Sequence, residues 1–257
     1  MLPYIELTTL SLGPITIYVW GTMVALGIAI GLWVAGKRAE KLGLDRNLVY
    51  DLGVWTVTAA FVGARIGHSF FYDWGTTIRD PLEFFRVWHV GFSIMGGFIV
   101  AIITAVWYLR RHQADVWCYA DATIFGLPIG LGIGRIGCFL IHDHPGTASD
   151  FFLAVQYPDG VSRLDHGLLL SINGFLMALV FWWMSRRKLP VGAYLTVFAF
   201  WYGSVRLWLD FYRIADARFW GLTPAQYVAV ALVAAGLWGV YKLWLKPHRV
   251  RGKMRSI

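Results

Sequence analysis

Charge is scarce in this chain of 257 residues: 15% are Asp, Glu, Lys or Arg, and no Lys or Arg precedes Lys37. Cysteine is scarcer, with two in all. These two, Cys118 and Cys138, fall at the start and near the end of one apolar stretch, where a continuous helix would hold them about 30 Å apart. No disulfide between them is expected, and so low a count says little about redox compartment. What fills the sequence instead is apolar: 58% hydrophobic residues, 14 Trp, and a mean hydropathy of +0.56. That balance excludes a soluble domain and points to an integral membrane protein.

A helix needs about 20 mostly apolar residues to cross a bilayer. Seven stretches of that kind occur: Ile15 to Gly36, Leu48 to Tyr72, Phe92 to Leu109, Trp117 to Ile141, Gly167 to Met184, Val191 to Phe211 and Pro224 to Leu245. The expected fold is an all-α membrane protein with seven transmembrane helices in one polytopic domain over 1–257. The first stretch is too long for the core of a signal peptide and reads as a retained span.

Basic residues resist translocation, so their distribution sets orientation. Alternate loops and the tail carry Lys37, Arg38, Lys41 and Arg46; Arg110 and Arg111; Arg186, Arg187 and Lys188; and the six from Lys242 to Arg255. Those are 15 of 23 basic residues on one side, which places the N-terminus outside and the C-terminus in the cytoplasm. The net charge of +8 is read as topology and attraction to anionic lipid, not as nucleic-acid binding.

Three arginines fall inside stretches that run outward: Arg65, Arg135 and Arg206. Arg135 lies in GLGIGRIGCFLIHDHPG, about 8 residues or roughly 12 Å of helix below the polar exit at Asp143. An ionisable residue at that depth marks a functional site by default. Each arginine is followed by an acid: Asp73, Asp143 and Asp210 respectively. ARIGHSFFYD and GRIGCFLIHD share R-I-G-x5-D, a faint trace of duplication. Three guanidinium groups at one depth repel one another in a low-dielectric medium unless anions lie among them. Asp210, four residues past Arg206, is an internal partner for that arginine; Arg65 and Arg135 call more strongly for a ligand. Guanidinium binds phosphate oxygens in bidentate fashion, and phospholipids supply the phosphates at this depth. The alternative is that the arginines snorkel or tie helices together. Gly134 and Gly137 remove bulk beside Arg135, although glycine also serves close helix packing.

Taken in order, LGPITIYVWGTMVALG, FVGARIGHSFFYD, VGFSIMGGFI, GLGIGRIGCF, YGSVRLWLDFYR and GLTPAQ resemble the prolipoprotein diacylglyceryl transferase family over nearly the whole chain. The resemblance implies a multi-pass enzyme of the bacterial cytoplasmic membrane. Its implied partners are phosphatidylglycerol, membrane lipids and the lipobox cysteine of a prolipoprotein signal peptide, with no cofactor. It puts Arg135 and Arg206 at the arginines that the family needs most, and Gly134, Gly137 and Gly146 at signature glycines. Arg65, Asp143, Asp210 and Arg213 fall on family charges, aspartate replacing glutamate at Asp143 and Asp210. The chain departs from the pattern at Met95, where the family has histidine, at Trp20 for tyrosine, Cys138 for asparagine and Leu164 for a second histidine.

In the family reaction an acceptor thiol displaces glycerol phosphate and forms a thioether at a glycerol carbon. Arg135 and Arg206 are expected to stabilise the charge that grows on the leaving group. The thiol, with a reference pKa near 8.5, benefits from a base that Met95 cannot be. His142 and His144, flanking Asp143, are the candidates, with solvated or interfacial roles as the alternative. H-D-H lacks the i, i+4 spacing of a helical metal pair, so no metal is expected. Cys138 and His142 do have that spacing, so a Cys-His nucleophile stands beside a plain packing role for Cys138. His68 is read as a helix-to-helix hydrogen bond, and Trp20, Trp55, Trp88, Trp107, Trp201 and Trp220 as core or interfacial belt.

Residues 142–165 are too polar to span and too long for a simple turn, and are expected to form an ordered extracytoplasmic cap. Two rival readings accompany the transferase: a paralogue with a different acceptor, and a phospholipid-binding protein that kept the arginines and lost the base. An anion transporter is disfavoured because no paired broken helices are visible.

Overall fold

The computed structural model describes residues 1–71, 74–80, 86, 93–214, 218 and 220–245. Its main elements are helices α1 (Val19–Lys41), α2 (Arg46–Phe71), α3 (Trp74–Arg79), α4 (Ile94–Arg111), α5 (Val116–Ile141), α6 (His166–Met184), α7 (Ala193–Leu209) and α8 (Pro224–Val240), the last running on as a π-turn over Tyr241–Leu245. Among the described residues, four helices are long and apolar enough to cross a membrane: α1, α5, α6 and Pro224–Leu245. Asp73, Trp88 and the first three residues of VGFSIMGGFI lie outside the described residues.

The helices begin where side chains satisfy the first free N–H groups. Asp115 caps α5 by accepting from the Trp117 and Cys118 N–H groups, and Asp165 caps α6 through Leu168 N–H at 3.0 Å. Thr223 and Gln226 form a reciprocal capping box on α8. α7 is capped from another helix: Asp121 of α5 accepts the Gly192 and Leu195 N–H groups at 3.0 and 2.9 Å.

Glycine lets these helices approach to backbone contact. Gly27 and Gly31 of α1 meet Gly126 and Gly130 of α5; a Cβ on Gly27 would sit 2.5 Å from the Gly130 carbonyl oxygen, and one on Gly126 would strike that of Gly31. Gly126→Ala is therefore expected to cost about 1–3 kcal/mol by prising α1 from α5. Gly21→Ala, with nothing within 4 Å of its added carbon, should be neutral. Thermal unfolding in detergent compares the two.

The first apolar stretch does not begin as a helix. Ile15–Tyr18 is a strand (β3) paired antiparallel with Thr9–Leu12 (β2), and α1 starts only at Val19. The correction has a local cause: Gly13, at φ +62°, and Pro14 form a two-residue hairpin turn, and β-branched residues follow it.

Residues 142–165 carry β4 (Pro145–Ala148), β5 (Val155–Gln156) and β6 (Ser162–Asp165). With β1 (Leu2–Pro3) they make a four-stranded sheet in the order β1-β5-β6-β4, so the N-terminal segment is part of this cap. Leu7 N–H bonds the Leu140 carbonyl at 2.8 Å and ties that segment to the end of α5. At the opposite end of the bundle, Ala35, Ala39, Val49, Leu109 and Tyr119 form a core from α1, α2, α4 and α5.

Candidate active site

A cavity of about 1310 Å³ runs along α5. At one end it is lined by Arg135, Cys138, Asp143 and His144; its walls include Gly27, Gly130 and Gly134, and its far end reaches Arg110 and Asp115. A Cβ on Gly134 would meet nothing nearer than 3.9 Å, so this glycine leaves room beside Arg135. Gly137 has another task, since a Cβ there would press on Met23 at 2.9 Å and Trp20 at 3.2 Å of α1. Gly146 is a cap glycine, with the Leu164 carbonyl oxygen 2.6 Å from its would-be Cβ.

Arg135 is the least satisfied charge here. Its hydrogen-bond contact is a weak one, from Nη1 to the Cys138 sulfur at 3.8 Å, and among the described residues no carboxylate lies within 4.0 Å of it. The guanidinium thus faces a largely apolar cavity with its donors open to a ligand.

Arg206 is buried at 5% exposure near the end of α7 and lies outside the cavity lining. Its Nε is 3.3 Å from Asp210 Oδ1, close but poorly aligned, and its Nη1 is buried without a hydrogen-bond partner among the described residues. Asp210 is fully buried; it accepts the Thr223 hydroxyl at 2.8 Å and has Arg213 Nη1 at 4.0 Å. Arg206 feels the like charges of Arg135 and Arg213, and Tyr202 is an electrostatic neighbour of both Arg135 and Arg206. Among the described residues, Asp143 and Asp210 are the acids whose charge reaches Arg135 and Arg206, and Arg135 is left facing the cavity, where an anion would complete it.

Arg65 does not join them. It is buried, donates from Nη2 to the Arg86 carbonyl at 3.1 Å and is not among the residues that line the cavity.

The two histidines separate completely. His142 ends α5 in the left-handed region at φ +48°, turned away from the cavity, with its side chain 2% exposed. Its Nδ1 is 2.7 Å from Asp165 Oδ2, its Nε2 is 3.2 Å from the Ile5 carbonyl oxygen, and its ring stacks on Tyr4 at 4.1 Å. Tyr157 donates to the same Asp165 oxygen at 3.0 Å; burial and that carboxylate push its hydroxyl pKa up, which keeps it a donor. His142 is therefore a latch of the cap and not the expected base, and no Cys138–His142 pair forms.

His144 faces the cavity. Its Nδ1 sits between the Arg213 Nη2 donor at 3.1 Å and the Asp143 carbonyl acceptor at 2.7 Å, and can serve one at a time. Bonded to the carbonyl it carries its proton on Nδ1 and leaves the Nε2 lone pair available. Burial, then the Arg213 charge, lowers its pKa, so it is neutral at pH 7. Met95, in the first turn of α4, is not in the cavity lining. Sequence reasoning missed His166, Asp165 and Tyr157; Asp165 ahead of an apolar run was a readable cap signal.

The profile of the prolipoprotein diacylglyceryl transferase family matches residues 8–242. The chain belongs to this family. Proteins named phosphatidylglycerol–prolipoprotein diacylglyceryl transferase are similar throughout. That of Pseudomonas fluorescens (strain Pf0-1) is 33% identical, over 97% of this chain and 96% of the relative. That of Chromohalobacter salexigens is 31% identical over 91% of each. That of Pseudomonas putida (strain F1) is 33% identical over 94% of this chain and 97% of its own. The family sequence thus spans both the arginine cluster and the cavity.

Proposed function

We propose that this membrane transferase moves the diacylglyceryl group of phosphatidylglycerol to the cysteine thiol of a prolipoprotein. The names of its relatives supply the substrates, and the Arg135 guanidinium in the cavity wall, with no carboxylate within 4.0 Å among the described residues, is the observation that carries the reading. The lipid phosphate docks on Arg135, with Arg206 and Arg213 adding positive potential behind it, while the acyl chains lie along the apolar wall of α5. The thiol proton passes to His144 Nε2, sulfur attacks the glycerol carbon, the carbon–oxygen bond to phosphate breaks, and glycerol phosphate leaves with the negative charge.

In this reading seven helices cross the inner membrane, with the cap outside. The basic residues at the end of α1 and the end of α4 support it, since the loops beside them pack into one shared core at the end opposite the cap.

The deciding experiment incubates purified protein with phosphatidylglycerol and a lipobox peptide and weighs the peptide by mass spectrometry. The expected result is a gain of one diacylglyceryl group at cysteine. Bound phospholipid without peptide modification would leave only a lipid binder. The rate of kcat/KM should fall on acidification through an inflection below the ordinary histidine value of 6.5, because the base must be unprotonated and His144 is held low.

A further inference from the structure

His166 is the first residue of α6, with 0% exposure, and its ring lies between the end of α7 and the cap strand at Gly146. Its Nε2 lies 2.8 Å from the Leu209 carbonyl oxygen. A carbonyl only accepts, so Nε2 carries the proton and the tautomer is fixed. Leu209 is where α7 gives way to the tighter turn Asp210–Tyr212, and Arg213 follows immediately. The turn is also tied to the cap, because Gly146 and Arg213 form a backbone bridge. Gly146 presses on the other side of the ring: a Cβ there would come within 2.7 Å of His166 Cε1 and 3.0 Å of Nδ1. His166 Nδ1 is buried with no hydrogen-bond partner among the described residues. A buried nitrogen left unpaired is costly, so this ring is not optimised for stability alone. It is wedged between the backbone that carries Arg213 and the cap strand beside it.

We infer that His166 is a positioning residue: by donating to the Leu209 carbonyl beneath the Gly146–Arg213 bridge, it fixes the turn that aims Arg213 at His144. It touches no substrate and acts through Arg213. The charged groups around it are Asp210, Arg206 and Arg213; those around His144 are Asp143, Arg213 and Arg135. The consequence for the base follows from Coulomb's law. With the turn held, the Arg213 guanidinium stays beside His144, whose Nδ1 proton goes to the Asp143 carbonyl, and its nearby positive charge disfavours the imidazolium. With the turn released, that cation recedes and the His144 pKa rises.

The inference rests on the transferase reading, and the test separates the two. His166→Phe removes the donor and keeps a ring; His166→Asn is too short to reach Leu209; His166→Gln can present an amide N–H at similar reach. Phe and Asn should lower kcat by roughly 10- to 100-fold, as expected for misplacement of about 1 Å. They should also move the acid limb of kcat/KM to higher pH, and Gln should restore both. Should Phe fail to fold, the Asn and Gln pair decides. A wild-type pH profile and rate in Asn overturns the inference while leaving the transferase intact. If the wild type itself makes no thioether, the His144 titration followed by NMR in wild type and His166→Asn still decides, since an unchanged titration overturns the positioning role.

Discussion

Arg135→Gln is expected to lower kcat/KM for thioether formation by about 10³-fold or more while leaving the fold intact. A single donor removed from a site where charge develops commonly costs about 10²- to 10³-fold, and here a full charge goes with it. Structural arginines behave differently. Breaking a buried ion pair strands a partner and destabilises the protein, by about 3–5 kcal/mol. Arg135 has no ion-pair partner within 4.0 Å among the described residues, so neutralising it strands nothing and relieves repulsion from Arg206. The melting temperature of Arg135→Gln should therefore equal or exceed that of wild type while turnover collapses. Arg135→Lys should fall between, keeping the charge but losing the planar, bidentate donors. Wild-type turnover in the Gln variant, or a lower melting temperature with partial activity, would refute the anion-binding role of Arg135.

Much of the helix pattern was legible because apolar stretches of membrane length leave few alternatives, and because arginine within such a stretch stands out against it. The Arg135 environment was readable for the same reason, and Gly134 does open space beside it. What failed was everything that depends on direction. His142 and His144 are two residues apart and look equivalent in sequence. The left-handed turn at His142 sends one ring into the cap and lets the other face the cavity. Arg65 and Arg135 share R-I-G, yet a loop carbonyl claims the first. His166 gave no signal, since its partner is a backbone carbonyl 43 residues away. The hairpin Thr9–Tyr18 was hidden because apolar β-branched residues suit a strand as well as the start of a span.

The same divergence of direction gives the second large effect. His142→Ala should destabilise the protein by about 3–5 kcal/mol, because it removes one member of a buried pair and leaves Asp165 facing an empty site. The cap should loosen with it, since His142 also reaches the Ile5 carbonyl and stacks on Tyr4, and so holds the N-terminal segment to the end of α5. Asp165→Asn should retain the α6 cap through Leu168 and weaken only the pairing, so a double-mutant cycle between the two positions isolates their coupling. His144→Ala is the mirror image. Its side chain is 28% exposed and bears no buried pair, so unfolding should change by less than about 1 kcal/mol. Its kcat should drop by about 10²- to 10⁴-fold, the usual weight of a positioned base. Hydrogen exchange across residues 1–12 and 142–165 should rise sharply in the first variant and stay unchanged in the second. If His144→Ala loosened the cap while His142→Ala spared it and lost only turnover, the roles argued for these rings would have to be exchanged.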